Sequence, residues 1–174
     1  LIHLPIAAMA TICLGMIAGH NALDGVKPEA FGAGAWLWRV LHAGGPVSLG
    51  GERTLMVAYP LIPWIGVMGT GYLFGRHLLQ PPAQRQRFLW RMGTTLTLGF
   101  VGLRLLDLYG DAKHWSAQSS PLFTVFSMLD ATKYPPSLAY LLMTLGPALL
   151  MLAWLDRGTP PALRPVLHFG RVPL

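Results

Sequence analysis

Four long apolar runs, separated by polar or glycine-rich connections, set the plan of this chain. The first runs from about Leu4 to Gly19, the second from Thr54 to Gly75, the third from about Phe88 to Tyr109, and the fourth from Tyr134 to Leu155. The second and fourth each hold about 22 residues without a formal charge, enough to cross a bilayer core. The third carries Arg91 at one end and Arg104 near the other. The pattern predicts an all-α fold, a multi-span transmembrane helical bundle of about four spans, with residues 1–174 as one transmembrane domain. Pro60 and Pro63 predict a kink or an opening near one end of the second span. Gly146-Pro147 predicts a kink in the fourth, and Pro135 and Pro136 suit its first turn.

The connections differ in character. Gly25 to Arg53 is long and glycine-rich, and its aromatic stretch from Ala35 to His42 reads as a short helix lying in a membrane interface. Arg76 to Arg91 is short and basic, with Arg76, Arg85, Arg87 and Arg91 and no acid. Gly110 to Lys133 mixes Asp111, Lys113, Asp130 and Lys133. After the fourth run come Arg157, Arg164 and Arg171 against Asp156. The positive-inside rule then assigns the Arg76–Arg91 loop and the tail to the cytoplasmic side. Two spans separate them, so the rule and the span count agree, and the other two connections face outward.

Composition narrows the class further. Charged residues make up 11% of the chain and hydrophobic ones 53%, against about a quarter charged in soluble domains. The formal charge of +6 resides largely in loop arginines and reports topology, so nucleic acid is excluded as a partner. Cys13 is a lone thiol in an apolar run, no metal-type cysteine spacing exists, and no metal ligand is assigned. The chain opens on Leu, directly into hydrophobic sequence, and ends on residues 169–174 that read as the approach to another span. We therefore expect a fragment of a longer membrane protein, packed in lipid against the remaining spans of its parent.

With this orientation, polar residues from all four runs collect at the outer level. His20, Asn21 and Asp24 end the first, Tyr59 opens the second, Arg104, Asp107 and Tyr109 end the third, and Lys133 and Tyr134 open the fourth. Charges held near hydrocarbon are functional-site candidates by default. His20 and Asp24 are spaced for one helix face, and a carboxylate-held imidazole suits a general base. Arg104 and Asp107 are spaced to pair; Arg104 or Lys133 suits an anionic group or a developing oxyanion. The plainer readings are a structural ion pair, a snorkelling lysine, a capping histidine and interfacial tyrosine anchors. On the inner side, Arg76, Arg85 and Arg87 suit a phosphate-bearing ligand or serve only topology and anionic lipid.

Several strings resemble one family. His20-Asn21-Ala22-Leu23-Asp24-Gly25, Tyr59-Pro60-Leu61-Ile62-Pro63-Trp64-Ile65-Gly66-Val67, Leu103-Arg104-Leu105-Leu106-Asp107-Leu108-Tyr109-Gly110-Asp111, Thr132-Lys133-Tyr134-Pro135-Pro136-Ser137-Leu138 and Phe169-Gly170-Arg171-Val172-Pro173-Leu174 occur in the family's order. They are similar to bacterial membrane proteins grouped as a domain of unknown function and to the catalytic region of heparan-α-glucosaminide N-acetyltransferase. The resemblance runs nearly end to end.

The resemblance implies a membrane-bound acyltransferase in a bacterial inner membrane. It would move an acetyl or other acyl group from cytoplasmic acetyl-coenzyme A to a sugar or cell-envelope acceptor outside. His20, Asp24, Arg104, Asp107 and Lys133 would then be the catalytic candidates, Asn21, Tyr59, Tyr109 and Tyr134 the acceptor-binding ones, and Arg76, Arg85 and Arg87 the donor-binding ones. A homo-oligomer stays open. In the family the histidine tied to acetyl transfer belongs to a stretch that precedes the part matched here, so His20 does not inherit that role. Asp107 stands where the pattern has Asn. The rival expectation is a transporter or channel subunit that uses the outward cluster as a solute path.

Overall fold

Each apolar run becomes a helix, though not over the bounds the pattern predicts. The computed structural model describes residues 3–158 and 160. Helix α1 spans Ile6–Gly19 and runs on through a 3₁₀ turn, His20–Leu23. A second 3₁₀ segment, Pro28–Gly34, leads into α2, Ala35–Trp38, which continues as a wide turn through Arg39–Ala43. The expected short aromatic helix is therefore present. Then follow strands β1 (Gly45–Ser48) and β2 (Thr54–Val57), and helices α3 (Leu61–Leu78), α4 (Pro82–Leu106), α5 (Pro121–Leu129) and α6 (Leu138–Leu155).

The second run departs most from expectation. Its first residues form β2, paired antiparallel with β1 so that Pro46 faces Met56. Pro60 caps α3 and Pro63 lies in its first turn, where a missing N–H costs nothing. The prolines open the helix and do not break it. Among the described residues two helical stretches, Ile6–Leu23 and Leu138–Leu155, are long and apolar enough to cross a membrane. Helix α3 closes on Arg76 and His77, and α4 carries Arg85, Arg87, Arg91 and Arg104, which lowers their mean hydropathy. Arg164, Arg171 and the 169–174 string lie outside the described residues.

The long helices pack as two antiparallel pairs, α1 with α3 and α4 with α6. Small residues set both contacts. A Cβ on Gly66 would stand 2.9 Å from the Cys13 carbonyl oxygen, and one on Gly69 would collide with Cys13 Sγ. Gly93 faces Leu150 and Gly146 faces Thr97 in the same way. Glycine at these positions lets the helix backbones approach this closely. Leu89, Phe100, Ala139, Leu141 and Ala153 form the buried seam of the α4–α6 pair.

The pairs are tied at one end. Tyr109 Oη donates to the Ala18 carbonyl at 2.5 Å. The opening amides of α6 are each satisfied: Leu138 N–H by Asn21 Oδ1, Ala139 N–H by the Gly110 carbonyl, and Tyr140 N–H by Ser137 Oγ. A helix start with all these donors paired is a fixed platform. At the opposite end Arg85 holds Asp156, with Nη2 to Oδ1 at 2.7 Å.

Candidate functional site

The 3₁₀ turn after α1 tightens the chain just where the polar residues begin. It turns His20 inward, where the residue is 1% exposed, and brings Asn21 and Asp24 together, Asn21 Nδ2 donating to Asp24 Oδ2 at 2.8 Å. The wide turn at Arg39–Ala43 swings His42 into the same place. His42 Nε2 lies 3.2 Å from Asp24 Oδ1, and the two imidazole rings meet edge-on, 5.8 Å apart. Trp38 covers the outer face of His42 at 5.0 Å.

Burial pushes the Asp24 carboxyl up, but hydrogen bonds from His42 and Asn21 and the nearby imidazoles outweigh it and hold the carboxyl below its ordinary value. Asp24 is therefore an anion at neutral pH. The histidines are less well served. Both ring nitrogens of His20 and Nδ1 of His42 are buried without a hydrogen-bond partner among the described residues. The Pro136 carbonyl lies close to His20 without reaching hydrogen-bond geometry. A buried polar atom left unpaired costs about 1–3 kcal/mol, and three such atoms meet at this cluster.

Asp24, Asn21 and His42 open onto a cavity of about 210 Å³. Lys27 and Pro28 form one wall, and Ala112, Thr132, Pro135 and Ser137 another. The volume is below the roughly 300–1,000 Å³ of pockets for drug-sized ligands. It admits a small polar group, such as the end of a sugar, and not a whole nucleotide.

The sequence-predicted cluster thus divides. His20, Asn21 and Asp24 come together. Arg104 does not join them: its buried guanidinium donates from Nε to the Met128 carbonyl at 2.8 Å, from Nη1 to Lys113 at 2.8 Å, and from Nη2 to Ser127 at 3.0 Å and Asp130 at 3.3 Å. These include the end carbonyls of α5, which a helix leaves unpaired. Arg104 is committed to holding α5 and the Lys113 loop. Asp107 is the left-handed C-cap of α4, with φ 51°, a conformation that Asp and Asn tolerate. That accounts for either residue at this position. Its carboxylate faces His114 Nδ1 at 3.0 Å and only brushes Arg104 at 4.0 Å. Lys133 is exposed, its ammonium 5.1 Å from the centre of the Tyr134 ring. Tyr59 meets Tyr134 edge-on at 5.7 Å, and Tyr109 is spent on the Ala18 carbonyl. None of these lines the cavity.

Two contributors escaped the sequence reading. In the sequence His42 marks only the end of an aromatic stretch. Asp111 accepts from Thr132 Oγ1 at 2.6 Å, Thr132 N–H at 2.8 Å, Ser137 Oγ at 2.7 Å and Lys113 N–H at 2.8 Å. Burial raises its carboxyl, yet these donors together hold it below the ordinary range. Asp111 thereby fixes Thr132 and Ser137 as cavity wall. The signal available was the pairing of Asp111 with the Thr132–Ser137 segment inside the quoted strings.

At the basic end the donor candidates also divide. Arg85 is consumed by Asp156 and by the Leu78 and Gln80 carbonyls. Arg87 donates to the Ala83 carbonyl on the surface. Arg76 lines a cavity of about 470 Å³ with Ile6, Ala10, Leu73, His77 and Gln80. No family model, curated protein or solved structure matches the chain.

Proposed function

We propose that this chain is a membrane-embedded acyltransferase unit. It takes an acyl group from a coenzyme A thioester at the Arg76 end and passes it to a sugar or cell-envelope acceptor at the Asp24–His42 end. The observation that carries this reading is the Asp24–His42 pair on the wall of a small cavity. Asp24 Oδ1 accepts the proton on His42 Nε2 and so leaves Nδ1 as the free lone pair. In this assignment the donor's thiol arm extends from the Arg76 end between the helices, and His42 Nδ1 takes the proton as an acceptor amine or hydroxyl attacks the thioester carbonyl there, with the thiolate leaving. Asn21 and Thr132 on the cavity wall orient the acceptor, and Arg76 with His77 receives phosphates of the donor. His42, not His20, is the base in this assignment, and Arg104 is a positioning residue.

In this reading α1, α3, α4 and α6 all cross the bilayer of a bacterial inner membrane. Their exposed apolar residues, among them Met68, Leu98, Val101, Leu145 and Met151, face lipid or neighbouring spans. The basic end lies in the cytoplasm. The test is the full-length protein reconstituted in vesicles, with acetyl-coenzyme A on the Arg76 side and amino sugars on the other, followed by free-thiol release. Acceptor-dependent release that falls at least about a hundredfold in Asp24→Asn and His42→Gln supports the reading. Acceptor flux that needs no thioester, with no thiol released, replaces it with a solute path.

A further inference from the structure

We propose that His20, Asp24 and His42 bind one divalent transition-metal ion, with zinc the ion their donors suit best. One ligating atom from each residue lies within 4.8 Å of the other two. Asp24 Oδ1 and His42 Nε2, 3.2 Å apart, already stand at the spacing of two ligands on one tetrahedral ion, about 3.3 Å for bonds near 2.0 Å. A small movement of the His20 ring, which no hydrogen bond restrains, closes the set.

Two independent observations point to a ligand. His20 is 1% exposed and neither nitrogen has a hydrogen-bond partner among the described residues; a metal ion would take the lone pair that an imidazole nitrogen presents. Asn21 Nδ2 occupies Asp24 Oδ2 at 2.8 Å and leaves Oδ1, the oxygen that faces His42 Nε2, to ligate the ion. That is the outer-shell support a ligating carboxylate ordinarily has. Three protein ligands leave a fourth position, and Asp24 and His42 both border the cavity, so water or an anionic group completes the coordination there.

This inference goes beyond acyl transfer and holds whether or not the chain performs it. It also sets a relation between the two. A metal on His42 Nε2 requires the imidazole proton on Nδ1, whereas the base described above carries it on Nε2. Loading and proton transfer are therefore alternative states of one site, and the ion acts as an inhibitor.

The test uses the full chain in detergent, stripped with chelator and titrated with Zn²⁺ or Co²⁺ alone. Calorimetry, elemental analysis and the visible spectrum of Co²⁺ read the result. We expect one ion per chain and a tetrahedral Co²⁺ spectrum. Affinity should fall at least about tenfold in each of His20→Ala, Asp24→Asn and His42→Ala, with His114→Ala unchanged. Where an alanine variant loses its circular dichroism signal, His20→Gln or His42→Gln takes its place. Failure of the folded protein to take up an ion overturns the inference, as does uptake that survives the three substitutions in folded variants. Metal uptake without thiol release keeps this inference and fails the acyltransferase; thiol release that zinc does not slow fails the inhibitory relation alone.

Discussion

Asn21 Oδ1 accepts the backbone N–H of Leu138 at 2.9 Å across a separation of 117 residues. One side chain thus ties the end of the first helix to the start of the last while its amide nitrogen orients Asp24. Asn21→Ala removes both bonds, and it leaves the first amide of α6 without a partner. We expect a loss of about 1–2 kcal/mol in stability, read as a lowered melting temperature in detergent. Unchanged melting would mean that water replaces both contacts and that the two helices need no such tie.

Arg104 donates four hydrogen bonds, and all its described acceptors are backbone carbonyls. Arg104→Met keeps much of the stem's packing but strips the end carbonyls of α5. The expected cost is about 3 kcal/mol, with Arg104→Lys recovering only part, since an ammonium cannot reach acceptors in a planar fork. Limited proteolysis should then cut between Gly110 and Asp130 at lower protease concentration. A variant as stable as the parent but lacking thiol release would instead restore Arg104 to the chemistry.

How much of this was legible in the sequence depends on the range of each contact. The four apolar runs were, because helical cores and breaks are local. The hairpin was not: Thr54-Leu55-Met56-Val57 is as apolar as the helix that follows, and four residues cannot distinguish a period of 2 from 3.6. Helix α5 has a local signature in Ser120-Pro121 and in Leu122, Phe123, Val125, Phe126 and Leu129 on a shared stripe, but at nine residues it is hidden within a mixed-charge connection. His20, Asn21 and Asp24 were legible because they are neighbours in sequence. His42 was not, because its meeting with Asp24 depends on how the 3₁₀ and wide turns between them close. Arg104 and Asp107 were legible as a spaced pair, yet their spacing could not reveal that carbonyls and a left-handed cap had claimed them.

Asp111 gives the fold a pH dependence of known sign. Its folded carboxyl is held below the ordinary value of about 3.9, so the ionised form is the one the folded state favours. That contribution is fully present above the unfolded value and is lost as pH falls through the lower, folded one. Melting temperatures followed from about pH 6 to pH 2 should fall below about pH 4. In Asp111→Asn the protein should be less stable at neutral pH and its melting should respond less to acid. An equal acid response in both proteins would assign the effect to other carboxylates, with Asp24 the next to examine.

The glycines of the α4–α6 pair should separate by what a methyl group would meet. A Cβ on Gly146 would stand 2.5 Å from Thr97 Oγ1 and 2.7 Å from Thr97 N. The second atom is backbone and cannot step aside, so Gly146→Ala must push the helices apart, at about 1–3 kcal/mol. A Cβ on Gly99 would sit 3.6 Å from Leu142 Cδ1, and one on Gly102 would meet nothing within 4 Å. At those two positions the gain in helix propensity, up to about 1 kcal/mol, should prevail. Thermal unfolding of the three alanine variants should therefore give one loss and two small gains. A neutral Gly146→Ala would mean that α6 slides or bends at Pro147 to relieve the contact, and the close approach to Thr97 would then be a convenience of packing and not its cause.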